Sequence, residues 1–143
     1  MSYFRYSCLV SLVLLFAGCG PNVKLGGRVT FPDGEPLTAG TIIFSNADFL
    51  ARANLKADGT YDVGSLSQKD GLPPGKYRVY IIGTEKVVGK RPFVRYNESG
   101  TKINDEEDIL EPQIPLKYAH RDTTPLEIEV PGQNVYNITV ERP

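Results

Sequence analysis

Few residues in this 143-residue chain have the type and spacing to do chemistry. His120 is the sole histidine, and the two cysteines, Cys8 and Cys19, both lie in the first nineteen residues. A metal site or an imidazole base needs partners that the rest of the chain does not supply. The densest acidic cluster is Asn104-Asp-Glu-Glu-Asp108, with Asn104, Glu106 and Asp108 at every second position. Oxygens in that order suit calcium, but an EF-hand loop needs Gly at its sixth place and Ile109 stands there. The cluster reads as a solvated acidic face. No pair of carboxylates is set apart as a general acid and base. The residues therefore predict no metal, no cofactor and no enzymatic activity.

A basic run precedes the acidic one. Lys86, Lys90, Arg91, Arg95 and Lys102 are interleaved with Phe93 and Tyr96. Aromatic rings among cations can hold a glycan or an anionic polymer, so Lys90, Arg91, Phe93, Arg95 and Tyr96 are the candidate partner contacts. The simpler reading is that the basic run and the acidic cluster neutralise one another. The formal net charge of the chain is -1. A field that weak excludes the phosphate-neutralising surface that nucleic acid binding requires.

Cys19 is a different kind of site. Residues 1–7 carry one positive charge, Arg5, and Cys8 to Ala17 is an apolar run relieved only by Ser11. As a helix that run rises roughly 15 Å, half of a hydrocarbon core of about 30 Å. It has the form of a signal peptide over residues 1–18. Its end, Leu14-Leu-Phe-Ala-Gly-Cys19, resembles the bacterial lipobox: an apolar residue, two small residues, then the cysteine that is lipidated and becomes the new N-terminus. Ala17, Gly18 and Cys19 match, and Phe16 stands where Leu is usual. The resemblance implies a membrane anchor of two or three acyl chains on Cys19. At about 0.8 kcal/mol per buried CH₂, such an anchor does not release. Gly20 is not the Asp that holds lipoproteins at the inner membrane, so the expected destination is the outer membrane. Residues 19–22 are then the whole tether. Three extended residues reach roughly 10 Å, which keeps the following domain, 23–143, close to the membrane.

The elements of that domain are read from period and turns. Apolar content of 41% supports a packed core, and 14 Gly with 11 Pro predict many turns. Val23 to Phe31 alternates as a first strand. Gly40–Ser45 follows, with Ile42 and Phe44 inward, then a weaker strand over Ala51–Lys56. Asp58-Gly59 signals a hairpin into Thr60–Val63. Pro73-Pro74-Gly75 is a rigid turn that launches Lys76–Ile82, with Tyr77, Val79 and Ile81 inward. Leu126–Val130 and Tyr136–Val140 alternate on either side of Pro131-Gly-Gln-Asn134 and predict a closing hairpin. Between Gly83 and Pro125 no strand is evident, which leaves a long loop. These segments predict an all-β sandwich of about seven strands.

Gly27-Arg-Val-Thr-Phe-Pro-Asp-Gly-Glu-Pro-Leu37, Asp58-Gly-Thr-Tyr-Asp-Val63 and Leu72-Pro-Pro-Gly-Lys-Tyr-Arg-Val79 resemble the carboxypeptidase regulatory-like domain. The resemblance spans roughly residues 23–83 and implies a transthyretin-like (prealbumin-like) sandwich. Its motifs are turn and core residues, so they carry no chemistry. An enzymatic branch of that fold, the hydroxyisourate hydrolases, relies on histidines and a terminal Tyr-Arg-Gly-Ser. Here the chain closes on Val140-Glu-Arg-Pro143. The expectation is an exported, membrane-anchored envelope lipoprotein with a non-enzymatic binding or structural module, whose partners are the membrane, through the lipid on Cys19, and an envelope protein or glycan. The alternative is a carbohydrate-binding module of the cell surface. If successive strands alternate direction, residues 84–124 lie at the pole away from the anchor.

Overall fold

A computed structural model describes residues 22–63 and 71–143. The expected signal segment and Cys19 lie outside these residues. The described chain is all-β: nine strands and one short 3-10 helix. Three sheets form. β1 (Gly26–Thr30) lies between β4 (Thr60–Asp62) and β9 (Ile138–Thr139). The second sheet runs β3 (Leu50–Asn54), β2 (Thr41–Ser45), β5 (Gly75–Ile82) and β8 (Leu126–Val130), all antiparallel. β6 (Glu85–Tyr96) and β7 (Lys102–Pro112) make a third sheet by themselves.

The first two sheets share one core. Val29, Tyr61 and Ile138 from one meet Ile42, Phe44, Val79, Ile81 and Ile128 from the other. Phe44 and Tyr61 touch across the layers with ring centroids 6.1 Å apart. Tyr77, Val79 and Ile81 are buried and Lys76, Arg78 and Ile82 exposed, as a period of two demands of a strand covered on one face. Ile43 departs from that rule: it points outward from β2 yet is buried, lying in register between Arg52 and Tyr80.

Each of the seven expected segments carries a strand, but three expectations need correction. The Asp58-Gly59 turn is real: Asp58 accepts from the Thr60 N–H (3.0 Å) and hydroxyl (2.6 Å), and Gly59 takes φ +79°. Yet it joins strands of different sheets, because β3 pairs with β2 and β4 with β1. The closing hairpin is likewise not one. β8 pairs with β5, and β9 runs parallel to β1. A turn between two alternating segments looks the same whether the segments pair with each other or cross to opposite layers. Third, the stretch 84–124 is not a long loop. It holds β6, β7 and a 3-10 helix, Leu116–Ala119, whose Tyr118 is buried. The strand count is therefore nine in three sheets, not seven in two.

The frame has two poles. Val23 and Leu72 exchange backbone hydrogen bonds of 2.8 Å, so the chain enters beside the start of β5. Thr41 pairs with Ile82 at the other end, and Gly40 lies against Thr84. The β6–β7 arm leaves there. The pole expected for residues 84–124, away from Val23, is where the arm is rooted.

Candidate functional site

The candidate residues Lys90, Arg91, Phe93, Arg95 and Tyr96 all lie on β6. Its root is held by Gln113, whose Nε2 donates to the Thr84 carbonyl at 2.9 Å. Thr84 itself is buried. The tip is the turn Asn97–Gly100. There the Asn97 side chain accepts from the N–H groups of Ser99 (3.1 Å) and Thr101 (2.8 Å). Twelve residues at about 3.4 Å each make an arm roughly 40 Å long. No residue from 85 to 112 is buried, so the arm stands clear of the sandwich.

A strand sends neighbours to opposite faces, and this splits the candidates. Arg91, Phe93 and Arg95 share one face. Lys90 and Tyr96 share the other with Pro92 and Val94. The register places Arg91 opposite Glu107, Phe93 opposite Asp105 and Lys90 opposite Asp108. Arg91 pairs with Glu107, Arg95 reaches the diagonal Asp105 at 2.9 Å, and Lys90 reaches the diagonal Glu106 at 3.7 Å. The basic run and the acidic cluster thus face each other across one ladder. All six side chains are well exposed, so each pair contributes at most about 1 kcal/mol.

Apolar groups complete the surface. Val87, Val88, Val94, Tyr96, Ile109 and Leu110 are all exposed on the arm. Tyr96 shows 68% of its surface near the tip. The structure does not bring Tyr96 and Tyr118 together: one is at the tip, the other is buried under the 3-10 helix. His120 caps that helix and is exposed. Among the described residues, no group of three or more His, Cys, Asp or Glu could hold a metal.

Concave sites lie elsewhere. A cleft of about 350 Å³ sits over the β5–β8 edge, lined by Lys76, Arg78, Arg121, Glu127 and Glu129. Arg78 already pairs with Glu127 at 3.1 Å and donates to the Thr124 carbonyl at 3.1 Å. The resolved shifts in acidity belong to the frame. Burial pushes the Tyr61, Tyr77 and Tyr136 hydroxyls above the usual phenol range. Hydrogen bonds hold Asp33 (from Arg142) and Asp58 (from Thr60) below the usual carboxylate range. Among the described residues, no buried side-chain polar atom lacks a partner.

The arm's candidate side chains are legible in the sequence, but the arm is not. Both its faces meet water, so apolar and polar residues do not alternate. A usable signal was present: the cations at 90, 91 and 95 lie on one side of the Asn97–Gly100 turn, and the carboxylates they pair with, at 106, 107 and 105, lie on the other.

No family model and no curated protein matches the chain. A 9R-lipoxygenase from Cyanothece PCC8801 is structurally similar at a TM-score of 0.32 and 12% identity. The match covers 85% of this chain and 16% of that one. The described helical content includes no helix long and apolar enough to cross a membrane.

Proposed function

We propose that this chain is an exported bacterial lipoprotein, anchored through Cys19, whose module presents the β6–β7 arm to a protein partner in the cell envelope. The module is read as a carboxypeptidase regulatory-like domain with a transthyretin-like sandwich, extended by the arm. It has no catalytic role. The observation that carries the reading is the arm itself: none of residues 85–112 is buried, and it leaves the pole opposite Val23. An anchor four residues before Val23 would hold the Val23 pole near the membrane and point the arm's root away from it. The outer membrane is the proposed address, from Gly20 after the lipobox-like Ala17-Gly18-Cys19.

Labelling with radioactive palmitate tests the anchor. Label should enter the wild-type chain and not Cys19→Ala, and the wild type should fractionate with outer membrane. An unlabelled wild-type chain in the soluble fraction would refute it. Cross-linking in intact cells tests the arm. Adducts should vanish when residues 86–111 are replaced by a short Gly-Ser turn while the sandwich stays folded.

A glycan reading keeps one specific support, the Tyr96 ring, exposed beside Pro92 and Val94. Retention on envelope polysaccharide that is lost in Tyr96→Ala or Phe93→Ala would favour it over a protein partner.

A further inference from the structure

The two strands of the arm have opposite charge. β6 carries four cations and one carboxylate; β7 carries five carboxylates and one cation. Among the described residues the arm is a sheet of only two strands, so each strand has one edge of backbone N–H and C=O groups that no other described strand covers. Unpaired edges of this length are templates for another strand. A lone two-stranded ribbon is marginal in water, and a third strand stabilises it. The charges decide which strand fits. A second β6 against β6 opposes cations to cations, and a second β7 against β7 opposes carboxylates to carboxylates. Only β6 against β7 is complementary.

We infer that the occupant of the arm's edges is a second copy of this chain, with β6 of one molecule adding to β7 of the next. This deepens the reading of the arm as a partner surface by naming the partner. The direction is right without further rotation. Two copies standing side by side in the same orientation, as on a common membrane, bring β6 of one antiparallel to β7 of its neighbour. Cations then lie across from carboxylates between molecules as they do within each arm. Exposed apolar residues also continue across the seam: Val87, opposite Leu110 in its own arm, gains the Leu110 of the neighbour on its other side. Pro92 lacks an N–H and Val88 is bulged, so the shared ladder is most regular over Phe93–Tyr96. Such an interface is heterologous. It builds rows, not closed dimers.

The test is sedimentation of the full chain in detergent, with micelles in large excess over protein. Four forms are compared: wild type; an arm replaced over 86–111; a β7 reversal, D105K/E106K/E107K; and a full swap that adds K90E/R91E/R95E to that reversal. The full swap keeps every charge pair of the arm and exchanges its sign. The expected result is self-association of the wild type to at least twice the mass of the arm-deleted chain. It should weaken at about 1 M salt, where the Debye length falls to about 3 Å. It should be lost in the β7 reversal and return in the full swap. A wild type that stays monomeric, an association that survives arm deletion, or a full swap that stays monomeric would each overturn the inference. A monomeric wild type whose arm still captures another envelope protein would leave the proposed function standing. Self-association without palmitate label would leave the inference standing and remove the anchor.

Discussion

Gly27 lies against the carbonyl oxygen of Tyr136. A Cβ built on Gly27 would stand 2.0 Å from that oxygen, well inside any real contact. The same carbonyl accepts the buried Tyr61 hydroxyl at 2.5 Å, and Tyr136 donates its N–H to the Gly26 carbonyl at 2.8 Å. One glycine therefore lets the segment that returns from β8 reach β1, and so lets the first sheet close on β9. Gly27→Ala should force these backbones apart and cost about 3 kcal/mol, the upper part of the range for overpacking. Denaturant unfolding measures it. A loss under about 1 kcal/mol would mean that the segment shifts freely.

Thr124 ties the end of the 84–124 excursion to the core. Its buried hydroxyl donates to the Val79 carbonyl at 2.6 Å and accepts from the Leu126 N–H at 3.2 Å. Thr124→Val keeps the volume and strands both groups, at a cost of about 1–3 kcal/mol. Thr124→Ser should recover most of it. Equal losses in the two variants would assign the effect to packing instead.

The ion pairs of the arm should contribute little. A double-mutant cycle on Arg91→Ala and Glu107→Ala, read by the denaturation midpoint, should give a coupling of at most about 1 kcal/mol. Hydrogen exchange should divide the molecule in the same way. Amides of β6 and β7 should exchange well before those of β2 and β5, because the arm covers none of its backbone with a core. Equal protection in the isolated chain would contradict the exposure of the arm.

Acid should loosen the turns at Asp58 and Asp33. Both carboxyls are held below their ordinary range when folded, so the stability they lend is present above the unfolded value near pH ~3.9 and is lost as pH falls through the folded value. The denaturation midpoint should therefore fall on going from about pH 5 to about pH 3. Asp58→Asn should start lower at the upper pH and change less over that interval. A variant as acid-sensitive as the wild type would move the effect to other carboxyls.

Packing should dominate all of these. Phe44→Ala removes a fully buried ring between the two sheets and should cost about 3–5 kcal/mol.

The sequence by itself determined the strands that have a core to face. Val29, Ile42, Phe44, Tyr77, Val79, Ile81, Ile128, Ile138 and Val140 stand at the period of two and are buried, because one covered face sorts apolar from polar residues. It also determined the turn at Asp58-Gly59, whose chemistry is local; at Pro73-Pro74-Gly75 the chain only bends at Pro74, and Gly75 already belongs to β5. Which strands pair was decided only by tertiary structure. β4 and β9 leave their sequence neighbours for β1 because two layers must each close over the same core, and no local residue encodes that choice. The arm was hidden for the complementary reason. Residues 85–112 face water on both sides, so burial leaves no pattern on them. Lys90, Arg91 and Arg95 met Glu106, Glu107 and Asp105 only once the chain had turned back at Asn97.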